Sequence, residues 1–456
     1  MRPEFGRGHR IHILGIGGAG MSGLARLALE WGTIVTGADE RASQSVDDLR
    51  HAGIDISVPQ SEGVGNSATW LTTSPAIAMD NPEVVDARTH AVPIFNRADV
   101  FSSLSGSHDM VAFAGTHGKT TATSMAVCVW LSANRDPSWL LGAAVRGVGF
   151  NAHGSASKEI LVECDESFGT LTRTSPAMLG LLNVDADHLD FYGSQDAIDD
   201  AFRGLVERTS GPVVGWLDDP GVARVIAAAQ RKIVSAGRNA GEYRVSDERA
   251  AARGTQFTLS GARGSMTIDL NVPGAHNVEN AAVVAGLALE AGIEPSAVIR
   301  GLANFVGAPR RFDVLGTIRG TTIVDDYAHL PNEIRATITA ARDCGFPRIV
   351  AIFQPHRVTR TAALTPLFAD CFLGVDELIV TDIYASGEEN PEGLTGEMVA
   401  TAVRDSGTVS KVTYVPTIEK ARERAAAICG LCDALLLLGA GDIDQIGPSL
   451  VAQYCE

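Results

Sequence analysis

Gly115-Thr116-His117-Gly118-Lys119-Thr120-Thr121 is the stretch of this chain best suited to chemistry. It follows the apolar run Met110–Ala114 and opens an apolar helical pattern, which predicts a strand turning into a helix N-terminus. Backbone N–H groups, the positive end of a helix dipole and a lysine then converge on one point, and that arrangement cradles phosphate. Fewer residues separate Gly115 from Gly118 than in the usual P-loop, so the generic motif fits in part. Lys119 is one of 5 lysines against 32 arginines. A strong general preference for Arg is overridden here, and a compact point charge facing phosphate oxygens is a reason to override it.

Acids follow the loop in two places. Glu163-Cys164-Asp165-Glu166-Ser167 comes after the short apolar run Ile160–Val162, and Asn183-Val184-Asp185-Ala186-Asp187-His188 comes after Met178–Leu182. At strand ends of an open α/β sheet such acids face the ligand crevice, where they can hold Mg²⁺ against ATP phosphates. A solvated turn explains either segment alone, and His188 is as readily a hydrogen-bonded histidine as a cation ligand. Two acid-rich strand ends after one phosphate loop favour the metal. Asn277 and Asn280, at the entrance of a helix over Ala281–Ala285, either cap it or face a nucleotide.

A second glycine cluster lies near the start. Ile11–Leu14 reads as a buried strand running into Gly15-Ile16-Gly17-Gly18-Ala19-Gly20, and a second strand, Ile34–Ala38, ends at Asp39. This is a Rossmann-like βαβ pattern, with the acid placed to meet a ribose hydroxyl. The glycines admit a diphosphate but do not choose between NAD and a UDP-sugar. A further strand, Trp70–Thr73, leads to Ser74.

In the last third, Arg310 and Arg311 follow a Gly-Pro turn, and strand Thr322–Val324 runs into Asp325-Asp326-Tyr327-Ala328-His329-Leu330. Strand Arg348–Phe353 ends in Gln354-Pro355-His356-Arg357-Val358-Thr359-Arg360, where two arginines three apart share a face if helical and can clamp one anion. Cys429 and Cys432 form a CxxC within an alanine-rich helical stretch and read as packing.

The elements that must position these groups predict an α/β protein of three domains. A Rossmann-like domain spans 1–107, a central P-loop-type ATPase α/β domain 108–306, and a C-terminal Rossmann-like α/β domain 307–456. The polar stretch Ser102–Ser107 serves as the first boundary, and about 212–270 reads as short strands and turns. A chain of 456 residues is long enough for that division. The net charge of −17 argues against a nucleic-acid or anionic-membrane surface, so phosphate-bearing ligands must be captured by local sites. Seven cysteines without framework spacing, no signal-like apolar core and no membrane-length apolar run predict a cytoplasmic protein.

Taken together, Gly15–Gly23, Gly115–Thr121, Asp165-Glu166-Ser167, Asp187-His188, His276-Asn277 with Asn280, Arg310-Arg311-Phe312, Asp325-Asp326-Tyr327 and Phe353–Arg357 stand in a recognisable order. The chain resembles the Mur ligases, ATP-dependent amide-forming ligases of bacterial cell-wall synthesis, in which the shortened glycine loop is the normal form. The Gly17–Gly23 version resembles members that attach L-alanine to UDP-N-acetylmuramate. The resemblance implies ATP and Mg²⁺ as cofactors, those two small molecules as substrates, no nucleic-acid or membrane partner, and a monomer or homodimer.

It further implies that Gly115–Thr121 hold ATP phosphates, with Lys119, Arg311 and His188 catalytic and Thr120, Glu166 and His188 on the metal. Asn277 and Asn280 would meet the adenine end and Asp326 the ribose. Gly15, Gly17, Gly18, Gly20, Asp39 and Ser74 would line the UDP-sugar site, and Tyr327, His329, Arg357 and Arg360 the amino-acid pocket. Phe168 stands where the family has Asp, Leu330 where it has a second His, Asn332 for Thr and Ala275 for Arg. No Lys lies between Lys158 and Lys232, so the carbamylated Lys of sibling ligases is not expected. A ligase for a preformed peptide or another amino acid, a non-catalytic sugar-nucleotide-binding paralogue and a nicotinamide dehydrogenase are the rival readings.

Overall fold

A computed structural model describes residues 2–59, 67–74, 77–166, 169–185, 189–251 and 254–454. The expectations for His188, Asp187 and Phe168 lie outside the described residues. The chain folds into two compact units, Met1–Arg249 with Gln256–Leu270 and Asn277–Val306, and Ala250–Thr255 with Asn271–His276 and Gly307–Glu456. The fold is α/β throughout, with sheets of five, ten and six strands.

The five-stranded sheet is wholly parallel, and its central strand Arg10–Leu14 lies between Ile34–Ala38 and Trp70–Thr73. Leu14 is level with both Ala38 and Thr73, so the glycine loop, Asp39 and Ser74 all leave the sheet at one edge. Ile11, Ile13 and Leu14 are fully buried, and His12 among them is buried too and bonded to Glu83 at 2.7 Å, as in a strand covered on both faces.

In the ten-stranded sheet, Asp109–Ala114 is flanked in parallel by Met178–Leu181 and Glu159–Cys164, with Ala114 level with Leu181 and Cys164. Three chain segments therefore emerge side by side where the sequence placed the phosphate loop and its acids. The helix Lys119–Ser132 behind the loop is buried without a break from Thr121 to Trp130, which anchors its N-terminus. In the second unit, Thr321–Asp326 and Ile349–Phe353 flank Ala434–Leu438, and Asp326 and Phe353 are both level with Leu438. Phe353 packs on Phe368 and Phe372 beneath them, with ring centroids 5.4 and 5.3 Å away.

The local structure differs from expectation at four places, though the packing reading of the CxxC holds. Ser102–Ser107 is the second half of helix Arg97–Ser107, because Asn96 and Asp99 form a reciprocal capping box and Val100, Phe101 and Leu104 bury one face. The stretch after Pro212 contains the helix Pro220–Ala228, started by an Asp219 cap and a proline in the first turn. The helix bearing Asn277 and Asn280 begins at Ala275, so both are interior residues rather than caps. Helix Ile418–Ile428 ends before Cys429, and both cysteines of the CxxC pack in the core as free thiols.

Candidate active site

The glycine loop at Gly115 is held from the neighbouring strand end by Asn183, which sequence reasoning did not single out. Its side-chain oxygen accepts from the His117 N–H at 2.7 Å, its amide donates to the His117 carbonyl at 3.1 Å, and its own carbonyl accepts from the Thr116 N–H at 3.2 Å. Thr116 is tied to Asp185 as well, by a bond from the Asp185 N–H to its hydroxyl at 2.9 Å. Gly118 caps the helix with φ +79°, in the left-handed region, and a Cβ there would come within 2.6 Å of the Asn280 side chain. That contact brings Asn280 to the loop. Asn277, one turn earlier on the same helix, is buried.

Lys119 lies across the cradle. Its Nζ donates to the Gly115 carbonyl at 2.6 Å, to the Thr116 carbonyl at 3.0 Å and to Glu166 at 2.9 Å. Burial alone would lower its pKa, but Glu166, Asp165 and Glu163 together hold it above the usual lysine range, so the ammonium stays charged. Thr120 pairs instead with Glu163, the hydroxyl donating to the carboxylate at 2.5 Å. The strand ends at Cys164 rather than Val162, which makes Glu163 a buried strand residue level with Phe113.

This pairing bears on the metal. Phosphate-loop enzymes hold Mg²⁺ with the loop Ser or Thr and an acid from a neighbouring strand, leaving the other positions to phosphate and water. Thr120 and Glu163 supply that oxygen set, whereas Glu166 is engaged by Lys119. Asp165, between them, forms an ion pair with Arg97 at 3.1 Å.

At the first glycine loop, Asp39 accepts from the Gly17 N–H at 2.8 Å and the Arg41 N–H at 3.2 Å, so the acid braces the loop. Gly15 N–H donates to the Ala38 carbonyl at 2.8 Å, Ser74 N–H to the Leu14 carbonyl at 2.9 Å, and Gly18 caps the helix Ala19–Glu30. A cleft of about 210 Å³ opens beside them between Ala19, Ser22 and Arg26 of that helix and Gly142–Ala144 and Asn151 of the central sheet's connection. Those central residues were not foreseen.

In the second unit, Arg310 and Arg311 both stack on the Tyr327 ring, 5.0 and 5.1 Å from its centroid. Asp326 holds the turn on each side of it, accepting from the Phe312 and Ala328 N–H groups at 2.8 Å each. His329 meets the Tyr327 ring edge at 5.4 Å, and its backbone N–H donates to Glu333 at 3.0 Å. Arg357 is not in the helix Val358–Phe368 but caps it at φ +67°, and its guanidinium donates to Glu388 at 2.6 Å. Arg360 lies in the first turn. His356 stacks on Tyr384, and burial followed by His329, Arg360 and Arg357 pushes it down to about 3, so it is neutral.

Comparison with known proteins places these features in a family. Residues 10–108 match the model described as Mur ligase family, catalytic domain, residues 113–288 the Mur ligase middle domain, and residues 310–441 the Mur ligase, glutamate ligase domain. The chain is 39% identical to UDP-N-acetylmuramate--L-alanine ligase of Clavibacter michiganensis, over 97% of this chain and 93% of that one. It is 38% identical to the protein of the same name from Nitratidesulfovibrio vulgaris, over 97% and 98%. The crystal structure of the UDP-N-acetylmuramate-alanine ligase from Thermotoga maritima superposes with a TM-score of 0.83 at 29% identity, covering 98% of this chain and 99% of that one.

Proposed function

Because the chain belongs to the Mur ligase family, we propose that it joins L-alanine to the carboxylate of UDP-N-acetylmuramate, driven by ATP with release of ADP and phosphate. A carboxylate is a poor electrophile, and transfer of the ATP γ-phosphoryl group to it makes an acyl phosphate that an amine can attack. Such transfer needs positioning and charge neutralisation more than covalent help. The single observation that carries this reading is the cradle at Gly115–Thr121, where Lys119 and Thr120 face two separate acids.

Lys119, released from Glu166 when phosphate enters, binds the phosphoryl oxygens. Thr120 and Glu163 are the residues that would hold Mg²⁺, whose chemistry is to neutralise phosphate charge. Asn183 keeps the loop N–H groups aimed at the anion. Asn280, against Gly118, and the buried Asn277 are assigned to the nucleotide's adenine end, and Asp326 to its ribose. Gly15, Gly17, Gly18 and Gly20 receive the UDP diphosphate, with Asp39 and Ser74 fixing the loop's edge. Arg357 and Arg360 pair with the amino acid's carboxylate, Tyr327 and His329 bound a small pocket, and Arg311 neutralises phosphoryl charge. His188 stays with the metal in this assignment.

Among the described residues no helix is long and apolar enough to cross a membrane. The test is an amino-acid screen of phosphate release with UDP-N-acetylmuramate, ATP and Mg²⁺, with mass analysis of the product. L-alanine is expected to support the fastest release, with glycine and L-serine slower by about 10- to 200-fold, the discrimination one methylene-sized difference provides. Release supported by a short peptide and by no single amino acid would replace this reading with a peptide ligase.

A further inference from the structure

Arg97 has no place in the assignment above, yet it touches both phosphate cradles of the first unit. It opens the helix Arg97–Ser107, whose start is fixed by Asn96 accepting from the Asp99 N–H at 2.9 Å and Asp99 accepting from the Asn96 N–H at 3.1 Å. One edge of the guanidinium pairs with Asp165 at 3.1 Å, beside the acids of the ATP loop. The other lies on Gly20, in the first turn of the helix that follows the sugar-nucleotide glycines, where a Cβ would come within 3.1 Å of Nη1. The aromatic face of Phe101 supports it at 5.2 Å.

Asp165 and Glu163 both attract this cation, while two helix ends oppose it. The guanidinium sits in the first turn of its own helix and against the N-terminus of another, and both helix ends are positive. The helix Ala19–Glu30 has no acid in its first turn and no side-chain cap. Asp165 answers part of a fork of five N–H donors. The remaining face borders a small cavity of about 20 Å³ in which Thr72, Arg97 and Glu163 are set among apolar residues such as Met21, Leu24 and Leu140. That is room for one water-sized group. Thr72 is fully buried there, and its hydroxyl has no hydrogen-bond partner among the described residues. A buried hydroxyl and an incompletely answered guanidinium on one cavity call for an acceptor oxygen, and the cavity admits one such atom of a larger anion.

We propose that Arg97 receives the carboxylate of the sugar nucleotide and holds it between the two cradles, with the Thr72 hydroxyl as a second donor. This rests on the sugar-nucleotide reading given above. The fork matches a carboxylate in a bidentate way that a lysine cannot. The position is also the one chemistry requires, since Glu163, which lines the same cavity, pairs with Thr120 of the ATP loop. The UDP diphosphate is the other anion such a cation could serve, and the experiment separates the two.

Calorimetry without ATP would give the dissociation constants of UDP-N-acetylmuramate and of UDP-N-acetylglucosamine, which has the same diphosphate and lacks the lactyl carboxylate. The wild-type enzyme should bind the acid more tightly. Arg97→Met should weaken UDP-N-acetylmuramate by about 10- to 100-fold and UDP-N-acetylglucosamine by less than about threefold. Arg97→Lys, which retains the charge should the Met variant fold poorly, should keep part of the preference. Equal loss of both nucleotides would mean that Arg97 serves the diphosphate or the fold, and the proposal would be overturned. An undiminished preference in both variants would overturn it too. Wild-type protein that binds neither nucleotide would instead sink the sugar-nucleotide reading, and this proposal with it.

Discussion

Two carboxylates three residues apart in sequence do different work because of what each one meets. Glu163 accepts from Thr120 and Glu166 from Lys119, so in the proposed assignment one acid goes with the cation and the other with the phosphate-binding lysine. Glu163→Gln is therefore expected to raise the Mg²⁺ needed for half-maximal phosphate release by about tenfold or more, the cost of weakening a carboxylate ligand. Glu166→Gln should lower turnover through a misplaced Lys119 while leaving the Mg²⁺ titration within about threefold. The reverse pattern would return the metal to Glu166. The family resemblance put the cation on Glu166, and the apolar run, read as ending at Val162, gave no separate sign of Glu163. A strand two residues longer carries Glu163 inward, and an acid in a buried strand is the sort of residue that needs a charged or polar partner.

At the scale of elements, the phosphate loop is not self-supporting. Asn183, on the next strand's end, makes two side-chain hydrogen bonds to His117. Asn183→Ala should raise the ATP requirement by about 10- to 100-fold, with the sugar-nucleotide affinity unchanged, since it removes both side-chain bonds that hold His117 and so loosens the loop. A variant with normal ATP dependence would show that the loop holds its shape without the clamp. The strands and both glycine loops were legible because apolar runs bounded by glycines leave few alternatives. The clamp was not, since its partners are 66 residues away and nothing local marks an asparagine for that use. The helix Arg97–Ser107 was hidden for a related reason: its second half is rich in serine and glycine, and only the Asn96–Asp99 cap and four buried apolar residues make it helical. Arg357 shows the opposite limit, where correct identities and spacing did not reveal that one arginine would cap the helix and meet Glu388.

For the whole molecule, the buried chemistry makes stability depend on pH. His356, held down to about 3 chiefly by burial, stays neutral in the native state, while in the unfolded chain it takes a proton near 6.5. Below that pH the unfolded state binds more protons, so stability present above about 6.5 is lost as pH falls towards the native value. His356→Gln should flatten the fall of the unfolding free energy between pH 6.5 and 4 by an amount on the order of 1 kcal/mol, allowing for partial solvent screening. Parallel curves for both proteins would contradict this. The central claim concerns the proposed reaction, in which a phosphoryl group passes from ATP to the sugar nucleotide's carboxylate. UDP-N-acetylmuramate labelled with ¹⁸O in that carboxylate, turned over with ATP and L-alanine, tests it directly. The account predicts that one labelled oxygen appears in each phosphate released, because the amine expels the oxygen that had carried the phosphoryl group. Released phosphate without label would show that the carboxylate is never phosphorylated.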